Sequence, residues 1–396
     1  MSLLTTPWLG GRKTPRVAIL VATVLLGTLS MHIVVPVLPD VARDFNVSAG
    51  SIQLTITLYL LGVATGQLIY GPISDRFGRR PVLIVGLCIY IASMAAGALA
   101  PGLGMLLGAR AFQALGGSCA LVLGRAIVRD GAEGSNVIKN MAKISIALSL
   151  TPAVAPIVGA AVSGWYGWRM IFVMLAVCCA ILLGVIVLAL PETNHNRIPL
   201  PGLRPMLASY GNLLSSRRFV GYAIGGSCGT SFYAFLAASP FVFNIVLHRT
   251  PQETGYLYFL TLMGFSLGSL FAIRVSGRFR GIVMARIGNL VMIGGPLLML
   301  AAYLTSTLGL WTIMGPMLLF TLGAGISGPF AQAGAVGADR TRIGAASGLY
   351  GATQMTIGSL CSYLVGAFDH EPVLPMILVM LVATVIGQIG YRMVPD

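Results

Sequence analysis

Residues 25–40 read LLGTLSMHIVVPVLPD, and the titratable group inside the oily part of that run is His32. An imidazole changes charge near neutral pH, so it can take up and release a proton where most side chains stay fixed. Two arginines, Arg110 and Arg125, stand in similarly apolar surroundings. A guanidinium keeps its charge, and holding one in hydrocarbon is costly unless it faces water or a partner. A proton-accepting ring with fixed cations can attract an anion or exchange a proton for a solute. Bond-making chemistry is not indicated: no metal-ligand cluster, no nucleophile beside a base and no G-x-x-x-x-G-K-[ST] phosphate loop stands in the sequence.

The elements that position these groups follow from composition. Of 396 residues 56% are hydrophobic and 9% charged, against roughly 25% charged in a soluble domain. The oily residues fall in runs of about 20, enough to cross a hydrocarbon core of about 30 Å. Twelve membrane helices are expected, at about 17–38, 52–71, 82–100, 104–128, 142–163, 168–190, 219–246, 254–275, 283–304, 308–336, 343–366 and 373–392. The first is read as a retained span, because the run is too long for a signal peptide and lacks a small-x-small cleavage site. The net charge of +14 reflects topology and not a nucleic-acid partner. About 21 of the 25 basic residues lie in one set of connectors, leaving Arg43, Arg110, Arg169 and Arg249 for the other side. That asymmetry places both termini in the cytoplasm. The six cysteines fall inside spans and read as small packing residues.

Connector 191–218, rich in Pro, polar and basic residues, separates residues 1–190 from 219–396 and reads as a cytoplasmic tether between two six-helix bundles. The halves repeat: GQLIYGPISDRFGRR (66–80) aligns with GSLFAIRVSGRFRG (268–281) at an offset of about 202 residues. Paired six-helix halves suggest a transporter that rocks about a central cavity.

GPISDRFGRR (71–80) is the most specific stretch. Gly71 permits close helix approach, Pro72 marks a bend, and Asp75 sits at a helix end where it can meet an arginine or a helix N-terminus. In RAFQALGG (110–117) and TPAVAPIVGAAVSGWYGWRMIF (151–172) the fourth and fifth spans carry further patterns. By these residues the chain resembles the major facilitator superfamily, and within it the twelve-span drug:proton antiporters of the bicyclomycin-resistance (Bcr/CflA) type. Gly71, Asp75, Arg76, Gly78, Arg79 and Arg80 match the family signature between helices 2 and 3; Arg110, Gln113 and Gly117 resemble that of helix 4.

The resemblance implies an all-α major facilitator fold and several roles. Asp75, Arg79 and Asp130 would form a charge latch that stabilises the outward-open arrangement. Gly277 stands where Asp75 stands in the first copy, so the second latch is weakened or absent. Pro152, Pro156, Gly159 and Gly164 would interrupt the fifth helix and form a pliable seal facing the other half. Helices 1, 4, 7 and 10 would line the cavity, so His32 and Arg110, at similar depth, could face one another across it. Many relatives carry Asp-x-x-x-Pro where this chain has His32 to Pro36.

The acidic residues (Asp40, Asp44, Asp75, Asp130, Glu133, Glu192, Glu253, Asp339, Asp369, Glu371 and Asp396) all fall in connectors, at helix ends or at the C-terminus. His32 is therefore the expected proton carrier, with Asp40 at the outer mouth as the alternative and a neutral packed histidine as the bland one. A pocket holding His32, Arg110 and Arg125 should prefer neutral or anionic amphipathic solutes. Its lining is expected to include Tyr59, Gln113, Phe232, Tyr233, Phe235, Asn244, Gln332 and Gln354, each of which could equally serve helix packing. The expectation is a monomeric, proton-driven efflux antiporter of the bacterial inner membrane that needs no cofactor or metal. The rivals are an exporter dedicated to one metabolite, a symporter or facilitator importing one, and a membrane enzyme or receptor on a similar scaffold, whose loops are too short for a catalytic domain.

Overall fold

The computed structural model describes residues 17–131, 135–194, 203–339, 342–368 and 372–395. Glu133, Asp369, Glu371 and Asp396 lie outside them. Every regular element described is helical, as hydrocarbon demands when each backbone donor and acceptor must be satisfied within its own segment.

The helices are α1 (Val17–His32), α2 (Leu38–Asp44), α3 (Ala49–Phe77), α4 (Arg79–Ala98), α5 (Leu103–Gly131), α6 (Ser135–Tyr166), α7 (Arg169–Ala189) and α8 (Leu203–Leu214). They continue with α9 (Arg217–Ser227), α10 (Phe232–Phe241), α11 (Pro251–Val275), α12 (Gly281–Leu304), α13 (Leu310–Val336), α14 (Ile343–Gly366) and α15 (Val373–Arg392).

Helix stands at all twelve expected positions, and ten helical stretches among the described residues are long and apolar enough to cross a membrane. The other two positions are α6 and α14. Helix α14 has 24 residues, but Ser347, Thr353, Gln354, Ser359 and Ser362 dilute its apolar character.

Three boundaries differ from the sequence expectation. The first span runs past residue 38 to Asp44, through a 3-10 turn at Val35–Val37 where Pro36 removes a backbone donor. The seventh breaks at a 3-10 turn, Cys228–Ser231, and ends in a π-helical turn, Val242–Val246, after Pro240. The connector between halves carries a helix of its own, α8.

Contacts sort the chain into two compact units: one of residues up to Val34 with Thr65–Pro201, the other of Val35–Ala64 with Gly202 onward. In the first, helices meet through small residues, as membrane helices do when packing and not water expulsion drives association. Gly86 and Gly116 face each other so closely that a Cβ on Gly116 would lie 2.6 Å from the Gly86 carbonyl oxygen.

The second unit packs Phe219, Tyr222, Ala331, Tyr350 and Tyr391 into one core. Two buried polar contacts tie its helices together: the Tyr391 hydroxyl with Ser327 Oγ at 2.7 Å, and Asn289 Nδ2 donating to the Thr384 carbonyl at 2.9 Å. Within the same unit Thr57 Oγ1 donates to Ser362 Oγ at 3.2 Å, and Ser359 Oγ to the Thr57 carbonyl at 3.0 Å. All six cysteines are free; Cys119, Cys179, Cys228 and Cys361 are buried, while Cys88 and Cys178 are exposed.

Candidate functional site

The first unit holds two constellations. One lies at the turn between α3 and α4, where Gly78 adopts a φ of +101°, a conformation that L side chains rarely take. This lets the chain reverse within one residue and delivers Arg79 into the protein, where it is 6% exposed.

The Arg79 guanidinium is fully engaged. Its Nη2 meets Asp75 Oδ1 at 2.7 Å, its Nε donates to Asp130 Oδ2 at 2.9 Å, and its Nη1 donates to Ser74 Oγ at 2.5 Å. The three expected latch residues are thus brought together, with Ser74 added. Arg80 instead donates from Nη2 to the Val187 carbonyl at 2.6 Å. Arg76 is exposed, its guanidinium carbon 5.2 Å from the centre of the Phe77 ring. A Cβ added to Gly71 would meet nothing within 4 Å, so close helix approach does not explain this glycine. In the second copy no carboxylate among the described residues pairs with Arg278 or Arg280, and Gly277 sits in a left-handed turn at φ +82°.

Two residues of this constellation escape sequence reading. Glu192 Oε1 accepts from the backbone N–H of Arg79 at 2.9 Å, and its Oε2 from that of Arg80 at 3.2 Å. A carboxylate thereby satisfies the first two free donors of α4 and meets the positive end of its dipole. Glu192 Oε1 also accepts from its own neighbours, Thr193 N and Asn194 N. Asn194 Nδ2 donates to the carbonyls of Ser74 and Asp75, at 3.2 and 2.8 Å, which belong to the last turn of α3. PETN (191–194) therefore fastens both helix ends that flank Gly78. The available signal was a Glu and an Asn directly after an apolar span, which is weak beside the basic residues that follow.

The second constellation is buried among α1, α4 and α5. Arg110, 2% exposed, donates from Nη1 to the Ser30 carbonyl at 3.0 Å and to Gln113 Oε1 at 2.7 Å. Gln113 Nε2 continues the chain to Met94 Sδ at 3.3 Å. His32, 7% exposed, closes α1 with Nδ1 3.3 Å from the Thr28 carbonyl. A carbonyl can only accept, so Nδ1 carries the hydrogen and Nε2 is the ring atom left to take a proton. The guanidinium is anchored two residues before the imidazole on the same helix. Arg125, further along α5, is exposed.

Elsewhere the structure redirects the expectations. Helix α6 runs without a break through Pro152 and Pro156, so these prolines do not interrupt it. A membrane helix tolerates proline when neighbours re-satisfy the freed carbonyls. Gly159 packs on the Ile33 carbonyl just beyond α1, within its own unit. Gly164 is exposed. Asp40 lies in the first turn of α2 and is ion-paired with Arg43.

In the second unit Phe235 is fully buried, its ring 6.1 Å from those of Phe243 and Tyr258. Tyr59 and Tyr233 are buried as well, and Phe232 is half-buried beside Tyr233 at 6.2 Å. Tyr59, Tyr233 and Phe235 are thus part of the buried core of this unit. Asn244 Nδ2 donates to the Pro240 carbonyl at 2.9 Å, repairing the π-helical turn. Gln354 Nε2 reaches Tyr350 Oη at 3.3 Å, and Gln332 is exposed. Among the described residues no His, Cys, Asp or Glu cluster could hold a metal ion.

The chain matches the profile of the Major Facilitator Superfamily over residues 20–363. It is 32% identical over 382 residues to a Bacillus subtilis protein named uncharacterized MFS-type transporter YdgK, covering 93% of this chain and 92% of that one. It is 31% identical over 351 residues to Multidrug resistance protein D of Escherichia coli, covering 88% and 87%. Among solved structures it is similar to the human organic anion transporter MFSD10, with a TM-score of 0.71 over 96% of this chain and 98% of that one. At 17% identity that likeness concerns the fold alone.

Proposed function

Since the chain belongs to the Major Facilitator Superfamily, we propose that this multi-pass membrane transporter exports small neutral or anionic amphipathic compounds in exchange for protons. It works in a bacterial inner membrane, with both termini in the cytoplasm, by alternating access of two six-helix bundles. The name of its relative, Multidrug resistance protein D, supports drug efflux as the task.

The observation that carries the coupling is that a buried imidazole and a buried guanidinium are both held to the last turn of α1 in one unit. His32 keeps Nδ1–H on the Thr28 carbonyl, and Arg110 holds to Ser30 and Gln113. In a chain whose carboxylates all stand outside mid-span positions, Nε2 of His32 is the atom that takes the proton. The fixed positive charge of Arg110 draws an anionic solute to the same place. Solute and proton then compete for one site, which is what obligatory exchange requires. Cationic solutes meet no carboxylate there and are disfavoured.

The Asp75–Arg79–Asp130 cluster acts as the conformational latch. A shared arginine with two carboxylates is a set of discrete pairings, and a two-state equilibrium can be biased by making or breaking them.

Reconstituted protein in vesicles with an imposed pH gradient tests the proposal. Export of a neutral or anionic antibiotic should follow the gradient and collapse when a protonophore dissipates it. Transport indifferent to the gradient would exclude proton exchange, and preference for cationic substrates would overturn the assigned substrate class.

A further inference from the structure

A groove of about 530 Å³ lies on the first unit, between α3, α4 and α5. Its walls include Ile73 and Phe77 from α3, Val85 and Ile89 from α4, and Phe112 and Leu115 from α5. Every lining residue is apolar or aromatic. Phe77, Val85 and Phe112, at 51%, 58% and 60% exposure, form an open rim. Along α3 the walls extend from Ile69 to Phe77, eight residues or about 12 Å at the helical rise. That is most of one leaflet of a hydrocarbon core about 30 Å thick.

At the end of the groove marked by Phe77 stands Arg76, its guanidinium 5.2 Å from the ring centre. Its charge differs from those of its neighbours. Arg79 is matched by Asp75 and Asp130, and Arg80 is engaged with the Val187 carbonyl. Among the described residues no carboxylate meets Arg76, which is exposed.

From this juxtaposition we infer that the groove holds one acyl chain of an anionic phospholipid whose phosphate lies on Arg76. The chain alone cannot select a lipid, because leaving bulk hydrocarbon for an apolar groove gains nothing by hydrophobicity. The headgroup supplies the discrimination: a weakly hydrated guanidinium on an aromatic face is suited to a phosphate at the level where headgroups begin. The lipid would thus contact the same 71–80 stretch that carries the latch, while resting on no assumption about proton coupling.

The full-length protein, purified in detergent and exposed to equal concentrations of phosphatidylglycerol and phosphatidylcholine, tests this by native mass spectrometry of the retained lipid. Phosphatidylglycerol should be retained about fivefold over phosphatidylcholine, the factor one basic group contributes at an anionic surface. Arg76→Gln should erase that preference without abolishing retention, whereas Val85→Trp, which fills the groove, should reduce retention of both lipids. In the unsubstituted protein, phosphatidylglycerol with a photoreactive acyl chain should label peptides from 69–89 or around 112–115. Equal retention of the two lipids, a preference that survives Arg76→Gln, or labelling confined to other helices would each overturn the inference.

Discussion

The backbone N–H of Arg79 donates to Glu192 Oε1 at 2.9 Å across 113 positions of sequence. The residue that holds both latch carboxylates is thereby itself held in place by the first residues of the connector. Because Asn194 grips the last turn of α3 at the same time, the turn at Gly78 is fixed from both sides.

We predict that Glu192→Ala lowers stability by about 1.5–3 kcal/mol, the usual worth of hydrogen bonds to a charged group. Asn194→Ala should cost about 1 kcal/mol, since its bonds are neutral. Thermal melting of the purified variants reads both. Equal and negligible losses would mean that the connector merely rests on the turn.

Asp75 and Asp130 share one guanidinium, so their effects should not add. Asp75→Asn and Asp130→Asn are each expected to shift the population toward the inward-open form in spin-label distance measurements across the cytoplasmic mouth. The double variant should shift it by less than the sum. Additive shifts, or none, would contradict a shared latch.

His32→Gln preserves a donor near the Thr28 carbonyl but cannot take a proton at neutral pH. It should abolish proton release on substrate addition while leaving substrate binding within about threefold, a difference of about 0.65 kcal/mol. Simultaneous recording of solution pH and ligand binding distinguishes the two. Unchanged proton release would move the coupling elsewhere, with the Asp40–Arg43 pair next to be tested.

Arg110→Lys keeps the charge yet loses the planar fork that reaches the Ser30 carbonyl and Gln113 together from Nη1. Transport is expected to fall about tenfold, a cost near 1.4 kcal/mol. Gln113→Leu should have a smaller effect in the same direction. Full activity in Arg110→Lys would mean that the point charge alone suffices.

Gly159 and Gly184 offer a contrast in packing. A side chain on Gly159 would run into the Ile33 carbonyl, which is backbone and cannot rotate away, whereas nothing lies within 4 Å of a Cβ on Gly184. Gly159→Val should destabilise by about 1–3 kcal/mol as an overpacked helix contact. Gly184→Ala should be neutral or stabilise by up to about 1 kcal/mol, since it removes backbone freedom inside α7. Denaturant or thermal unfolding in the same detergent compares them directly.

The sequence by itself determined the solvent and the elements. Runs of apolar residues long enough to cross hydrocarbon leave the backbone no alternative to helix, so the twelve positions are legible from composition and run length alone. The 71–80 stretch was legible for a similar reason: charges crowded at a helix end must find partners nearby, and Asp75 and Arg79 are one turn apart. Periodicity and composition say nothing, however, about which groups meet across helices. Tertiary structure decided that Asp130 joins Arg79, that Glu192 and Asn194 clamp both helix ends, and that Arg110 rests on the Ser30 carbonyl. It also decided that Gly159 packs beside α1 and that Phe235 is core. The physical reason is range: helix formation is settled by neighbours within four residues, whereas a cavity, a clamp or a packed ring depends on which faces of distant helices are pressed together.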